Sequence, residues 1–322
     1  MADTLAAPRR HRGAHPLRRF THTLDVKASP YAYVAPFFLL FCAFGLFPLA
    51  YTAWVSLHDW TLLSDVHTFV GLDNFGTLFG DAYFWNATFN TLSIGVLSTA
   101  PQLVLAIWLA HLLNRPLRWQ TFFRVAILVP NVTSVVAVVV IFSQLFGRDF
   151  GLINWVLSWF GGEGAGQIDW AAGTATSHIA ISTMVMWRWT GYNALIFLAA
   201  MQAVPRELYE AATLDGARNL TQLRRITLPM IRPTIIFVVI VSTIGAMQII
   251  AEPLLFGASS GAGGGAATGG PDRQFQTLAL FIYEKGFTEF DFGYASAASW
   301  IMFLIVVVVA GVNYLLSRRM KG

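Results

Sequence analysis

Long apolar runs alternate with short polar stretches along this chain, and six of the runs approach the length of a membrane-crossing helix. A spanning helix needs roughly 20 mainly apolar residues. The runs fall at about 33–57, 91–113, 123–146, 177–203, 231–251 and 295–316. The pattern predicts an all-α polytopic membrane protein with six transmembrane helices. The fourth run is the least pure, because Trp187-Arg188-Trp189 and Asn193 lie inside it. The segment between the fourth and fifth runs, 204–230, is polar and charged yet carries helix signals. Pro205 suits a first helical position. Glu207 and Glu210 sit in the opening turns, where the helix dipole favours acids. Leu208, Ala211, Ala212 and Leu214 give a small, smooth apolar side, and Gly216 is placed to stop the helix. Asn219 with Gln222 has the spacing of a capping box for a second short helix. Pro229 and Pro233 interrupt any continuous run into the fifth span.

Composition agrees. The 322 residues are 56% hydrophobic and 12% charged, with a mean hydropathy of +0.58, whereas soluble domains carry about 25% charged residues. The net charge of +4 matters less than its placement. Cytoplasmic loops of membrane proteins are enriched in Lys and Arg. With the N-terminus inside, 17 of the 21 basic residues lie in the leader, the loop near 114–124, the loop 204–232 and the tail. Only Arg148, Arg273 and Lys285 fall outside, and Arg188 lies within a span. Both termini are therefore expected in the cytoplasm. Residues 1–30 read as a basic leader, retained because no small-residue cleavage site follows it, and suited to anionic lipid. Residues 31–322 read as one transmembrane domain. The outer segments 58–90 and 147–176 are rich in aromatic residues, and Trp54, Trp60, Trp85, Trp155, Trp159 and Trp170 suit an interfacial belt.

Several chemistries are disfavoured. The single cysteine, Cys42, cannot form an internal disulfide. The seven histidines show no metal-ligand spacing. The Gly/Ala-rich stretch 257–270 lacks the Lys-Ser/Thr ending of a phosphate loop and falls on the outer side. Asn86-Ala87-Thr88 fits a glycosylation triplet, a pattern common by chance. No catalytic constellation is found, so the chain reads as a non-enzyme with no cofactor of its own and no nucleic-acid partner. Arg188 is costly inside a membrane, by at least about 2.5–3.5 kcal/mol. Two readings stay open for it: a pathway residue, or a structural ion pair, with Glu252 as the candidate partner.

The cytoplasmic loop also carries a resemblance. Glu210-Ala211-Ala212, two residues, Asp215-Gly216-Ala217, eight residues, then Ile226-x-Leu228-Pro229 resembles, without a gap, the signature loop of permease subunits of bacterial binding-protein-dependent ABC importers. Gln202 to Pro205, Leu208-Tyr209, Gly269-Gly270-Pro271 and Val70-Gly71-Leu72-Asp73-Asn74-Phe75 are similar to the carbohydrate-uptake branch, of the disaccharide type, with cellobiose-type systems the leading guess. The resemblance covers about residues 30–320, and the Gly/Ala-rich insertion departs from it. It implies a coupling helix seated in a groove of a cytoplasmic ATPase dimer, which holds the ATP and Mg. Glu210, Ala211, Ala212, Asp215 and Gly216 would be the contact. It further implies a second homologous permease chain, an external sugar-binding protein, and the bacterial plasma membrane as location.

Sugars are held by aromatic faces and planar hydrogen-bonding groups. On the fourth span Trp189, Tyr192 and Asn193 meet that need, and on the fifth Ser242, Gln248 and Glu252 do. Tyr192 matches a sugar contact of maltose-type relatives. Positions 242 and 249 would share one face, with Gly245 opening space between them. The plain alternative is helix-to-helix hydrogen bonding, and it is favoured further for Asn131 and Ser134. Three rival readings remain: a glycerol-phosphate or phosphodiester importer subunit, a self-contained channel or secondary carrier, and a polytopic membrane enzyme.

Overall fold

The computed structural model describes residues 31–61, 67–115, 118–161, 167–259 and 266–319. The leader 1–30, the middle of the Gly/Ala-rich insertion and the final residues of the tail lie outside the described residues. The chain divides into two compact units, residues 1–54 and 55–322. The first is represented by helix α1, Tyr31–Val55, whose backbone widens into one π-type turn at Cys42–Leu46.

The second unit is almost wholly helical. A two-residue antiparallel pair, β1 (His58–Asp59) with β2 (Thr68–Phe69), precedes α2 (Asp73–Gly80). Asn74 donates from its amide to the Ser56 and His58 carbonyls and so fastens α2 to this hairpin. The long helices α3 (Ala82–Leu113) and α7 (Thr174–Gln202) share the most extensive helix–helix contact. Between them run α4 (Gln120–Val132), α5 (Val135–Leu145) and α6 (Leu152–Gly161). After α7 come α8 (Arg206–Leu214), α9 (Asn219–Met230), α10 (Arg232–Met247), α11 (Ala251–Ser259), α12 (Leu278–Tyr283) and α13 (Phe292–Arg319).

By length and composition, α1, α3 and the Phe292–Leu315 part of α13 can each cross a membrane among the described residues. Two further candidates are bent pairs: α4 with α5 at 91°, and α9 with α10 at 73°. The run 123–146 is thus a broken helix and not a straight one. Pro130 removes a backbone donor there, and Thr133-Ser134 adopt extended backbone at the corner. The run 231–251 likewise ends early, at Met247, and resumes as α11. The second run starts nine residues before the expected boundary, because Asp81 caps α3 by accepting from the Tyr83 N–H at 2.8 Å. Helix α7 is long enough to span but falls short in apolarity.

The reason lies in what α3 and α7 bury. Asn90, Thr91, Ser98 and Gln102 on one helix, and Ser177, His178, Ser182, Thr190 and Asn193 on the other, are all buried. Small and hydroxylated side chains let helix backbones approach and satisfy one another in a membrane: Ser182 Oγ donates to the Ile94 carbonyl at 3.2 Å. Gly191 serves the opposite side of α7, where a Cβ would collide with the backbone carbonyl of Ile127 on α4. Apolar clusters fill the rest. One joins Ile94, Val139, Phe146, Met184 and Phe256. A second joins Ala106, Ala110, Phe197, Met201 and Val238.

Candidate functional site

The polar loop after α7 is a built unit. Its first helix, α8, starts at Arg206, so Pro205 occupies the cap position and not the first turn. Gly216 has φ +77°, a left-handed conformation that glycine adopts without penalty. The chain reverses there, with Ala217 N–H donating to the Ala212 carbonyl at 2.9 Å. The capping box does not form. Arg218, not Asn219, holds the cap position of α9. Gln222 instead donates to Thr213 Oγ1 at 3.0 Å and to the Ala217 carbonyl at 3.1 Å, lacing α9 back onto α8. Tyr209 and Thr227 add a hydroxyl pair at 2.9 Å. Outward from this brace, Glu210, Ala211, Asp215 and Gly216 are exposed, Ala212 is half-buried, and Leu214 is 91% exposed. Among the described residues neither Glu210 nor Asp215 has a cationic partner.

The intramembrane candidates fall into two sets. Arg188 Nη1 meets Glu252 Oε1 at 2.5 Å, with both side chains mostly buried, which realises the ion-pair reading. The Arg188 Nε is buried without an acceptor among the described residues. Five residues along α7, Asn193 Nδ2 donates to Ser242 Oγ of α10 at 3.1 Å. These four residues satisfy one another across α7, α10 and α11. The second set is open. Trp189 and Tyr192 meet edge to face at 5.8 Å and are 41% and 43% exposed. Gln248 is exposed in the break after α10. That break removes the expected common face of 242 and 249, since the helix ends before 249. Gly245 does leave open space: a Cβ there would meet nothing within 4 Å.

A polar cluster between α3 and the 269–284 segment was not singled out in the sequence. Arg273 pairs with both carboxylate oxygens of Glu284, and its Nη1 also donates to Gln276 Oε1 at 2.9 Å. Its guanidinium lies 4.5 Å from the Tyr83 ring centre. The Arg273 carbonyl accepts from the side-chain amides of Asn86 and Asn90 at 2.8 and 2.9 Å. Asn86 is thus engaged within the fold, and Thr88 is buried, which removes the glycosylation reading. Nearby, His178 bridges Ser93 Oγ and the Gln274 carbonyl, each at 2.9 Å. Positive φ at Gly269 and Gly270 turns the chain into this cluster. A readable signal existed in Asn86, Asn90 and Ser93, which recur at helical spacing inside an apolar run. Trp170 also departs from the interfacial reading: it is 8% exposed, and its indole N–H donates to Asn154 Oδ1 at 2.8 Å.

The geometry is that of a helical membrane protein with a preformed polar loop, and comparison with known proteins agrees. Residues 102–322 match the family described as binding-protein-dependent transport system inner membrane component, and the chain belongs to that family of transport permeases. It is 34% identical to the lactose transport system permease protein LacF of Rhizobium radiobacter over 90% of this chain and 94% of that one. It is 30% identical to the arabinooligosaccharides transport system permease protein AraP of Halalkalibacterium halodurans, over 94% and 92%. It is 31% identical to the sn-glycerol-3-phosphate transport system permease protein UgpA of Escherichia coli, over 88% and 92%. Its fold matches a chain of a bacterial ABC transporter involved in the import of the acidic polysaccharide alginate. The TM-score is 0.76 at 22% identity, over 94% of this chain and 100% of that one.

Proposed function

We propose that this chain is the membrane-spanning permease subunit of an ATP-driven importer of a disaccharide or oligosaccharide. The observation that carries the reading is the braced α8–Gly216–α9 loop, with Glu210, Asp215 and Leu214 exposed and without partners of their own. A loop this well laced, presenting an uncompensated acid at each end of its exposed face, suits being gripped by a separate protein. That protein is a cytoplasmic ATPase dimer, which supplies ATP and Mg. Its closure moves α8 as a lever, and the lacing through Gln222 and Tyr209 passes the movement to α9 and α10. A second homologous permease completes the pathway, six crossings place both termini in the cytoplasm, and an external binding protein delivers the sugar. Relatives named for lactose and arabinooligosaccharides support the cargo class.

Within the pathway, Trp189, Tyr192 and Gln248 are the groups free to meet sugar. Arg188, Glu252, Asn193 and Ser242 hold the helices that present them. A phosphodiester cargo, as in the name of the glycerol-phosphate relative, is the weaker reading, because the Arg188 charge is already neutralised by Glu252. The test is the assembled transporter in vesicles carrying Gly216→Asp or Glu210→Lys. Sugar-stimulated ATP hydrolysis and uptake are expected to fall together. Survival of both would sink the coupling role, and accumulation of solute by this chain alone would sink the whole reading.

A further inference from the structure

Where α3 ends, α4 starts and the α8–α9 loop folds back, the chain encloses a cavity of about 680 Å³. That is within the roughly 300–1,000 Å³ of small-molecule pockets. Its lining is one-sided in charge. Arg115, Arg124 and Arg206 all contribute, and no carboxylate does. None of the three has a carboxylate partner among the described residues. Arg115 reaches only the His111 ring, 3.2 Å away, and the Arg124 Nε is buried with no acceptor. Helices α4 and α8 both open onto the cavity through Gln120 and Arg206, and neither has a side-chain cap on its first N–H groups. Uncapped helix starts favour anions, and the planar guanidinium fork matches phosphate oxygens in pairs. The amides of Asn114 and Asn219 and the Tyr209 hydroxyl line the same space.

We infer that this cavity is a binding site for a phosphate-bearing anion, supplied either as a free cytoplasmic phosphate compound or as a phospholipid headgroup. Occupancy would neutralise the three arginines and tie the start of α8 to the start of α4, so the ligand would bias the stance of the lever. The inference depends on the loop facing the cytoplasm and on no choice of cargo.

The test uses the purified full-length chain. In mild detergent, pyrophosphate is titrated at constant ionic strength, with citrate as a carboxylate anion for contrast. In a second arm, thermal midpoints are compared in nanodiscs of phosphatidylcholine alone and of phosphatidylcholine with phosphatidylglycerol. Saturable binding of pyrophosphate over citrate identifies a free phosphate compound. A midpoint raised only by phosphatidylglycerol identifies the headgroup. Either response should weaken about tenfold in Arg124→Gln, the loss of one charge-assisted pair, and persist in Arg118→Gln, an exposed neighbour outside the cavity. If Arg124→Gln does not fold, the exposed rim variants Arg115→Gln and Arg206→Gln carry the same expectation. Equal responses to pyrophosphate and citrate, equal responses in wild type and cavity variants, or no response in either arm overturns the site. These outcomes leave sugar import untouched, since that is read by transport.

Discussion

The segment around Arg273 and Glu284 and the loop around Glu210 and Asp215 use the same kinds of side chain to opposite ends. In the first, charge is buried and consumed: the guanidinium has two carboxylate oxygens, an amide and an aromatic face, and Glu284 is 5% exposed. In the second, the backbone is braced as firmly, by Gln222 and Tyr209, but the acids point away with no cation to meet them. The difference separates order from satisfaction. A region that is ordered and satisfied holds a shape for its own chain, whereas one that is ordered and unsatisfied holds a shape for another molecule.

Substitution can break that contrast at either pole. The largest effect is expected from Glu284→Ala, which leaves Arg273 buried without its counter-charge at a cost of about 3–5 kcal/mol. A fall in the thermal midpoint of the purified chain reads it, and a midpoint within a degree of wild type would mean the pair is idle. Next comes Gly191→Ala, where the added methyl drives α7 off the Ile127 carbonyl and overpacking costs about 1–3 kcal/mol. The same melt checks it. At the other pole, Leu214→Ala should change stability by less than about 0.5 kcal/mol, as surface changes do. It should nonetheless weaken capture of the ATPase subunit by about 1 kcal/mol or more, measured by co-purification against a dilution series. Loss of stability with unchanged capture would reverse the assignment.

The smallest expected effect concerns Asp291, at the start of α13. Its carboxyl sits above the usual carboxylate range, chiefly because burial disfavours its charge, and the hydrogen bond from the Tyr294 N–H opposes the rise only in part. A folded-state pKa above the unfolded value means the folded chain binds this proton more tightly. Its contribution to stability therefore grows as pH falls through that raised pKa and is smallest at neutral pH. Asp291→Asn keeps a capping group and removes the titration. The difference between the two melting curves should shrink on acidification from pH 7, and a constant difference would exclude the effect.

Much of this was legible in the residues, for reasons that differ from place to place. The helix–glycine–helix loop could be read because Glu207, Gly216 and the prolines act through local backbone physics. The pairing of Arg188 with Glu252 could be guessed because a charge inside a membrane must find its opposite. The corner at Thr133-Ser134 was hidden, since Pro130 alone does not distinguish a mild kink from a 91° turn. The lacing by Gln222 was misread as a cap because a capping box and a long-range amide bond use the same residue at the same spacing. The Arg273 cluster joins positions nearly 190 residues apart, which periodicity along a single helix cannot reveal. Trp170 was assigned to an interface on residue type alone, and its partner Asn154 decides otherwise.

The π-type turn at Leu223–Thr227 within α9, closed by the Leu228 N–H on the Leu223 carbonyl, gives the interval between Gly216 and Pro229 an angular meaning as well as a length. Such a turn holds one residue more than its α-helical counterpart. Excising a single residue from it would let the helix tighten and rotate everything downstream by about 100°, one residue's share of a 3.6-residue turn. Helix α10 would then leave the loop on a new heading and carry Ser242 away from Asn193. Counting errors here should be tolerated far less than changes of side chain.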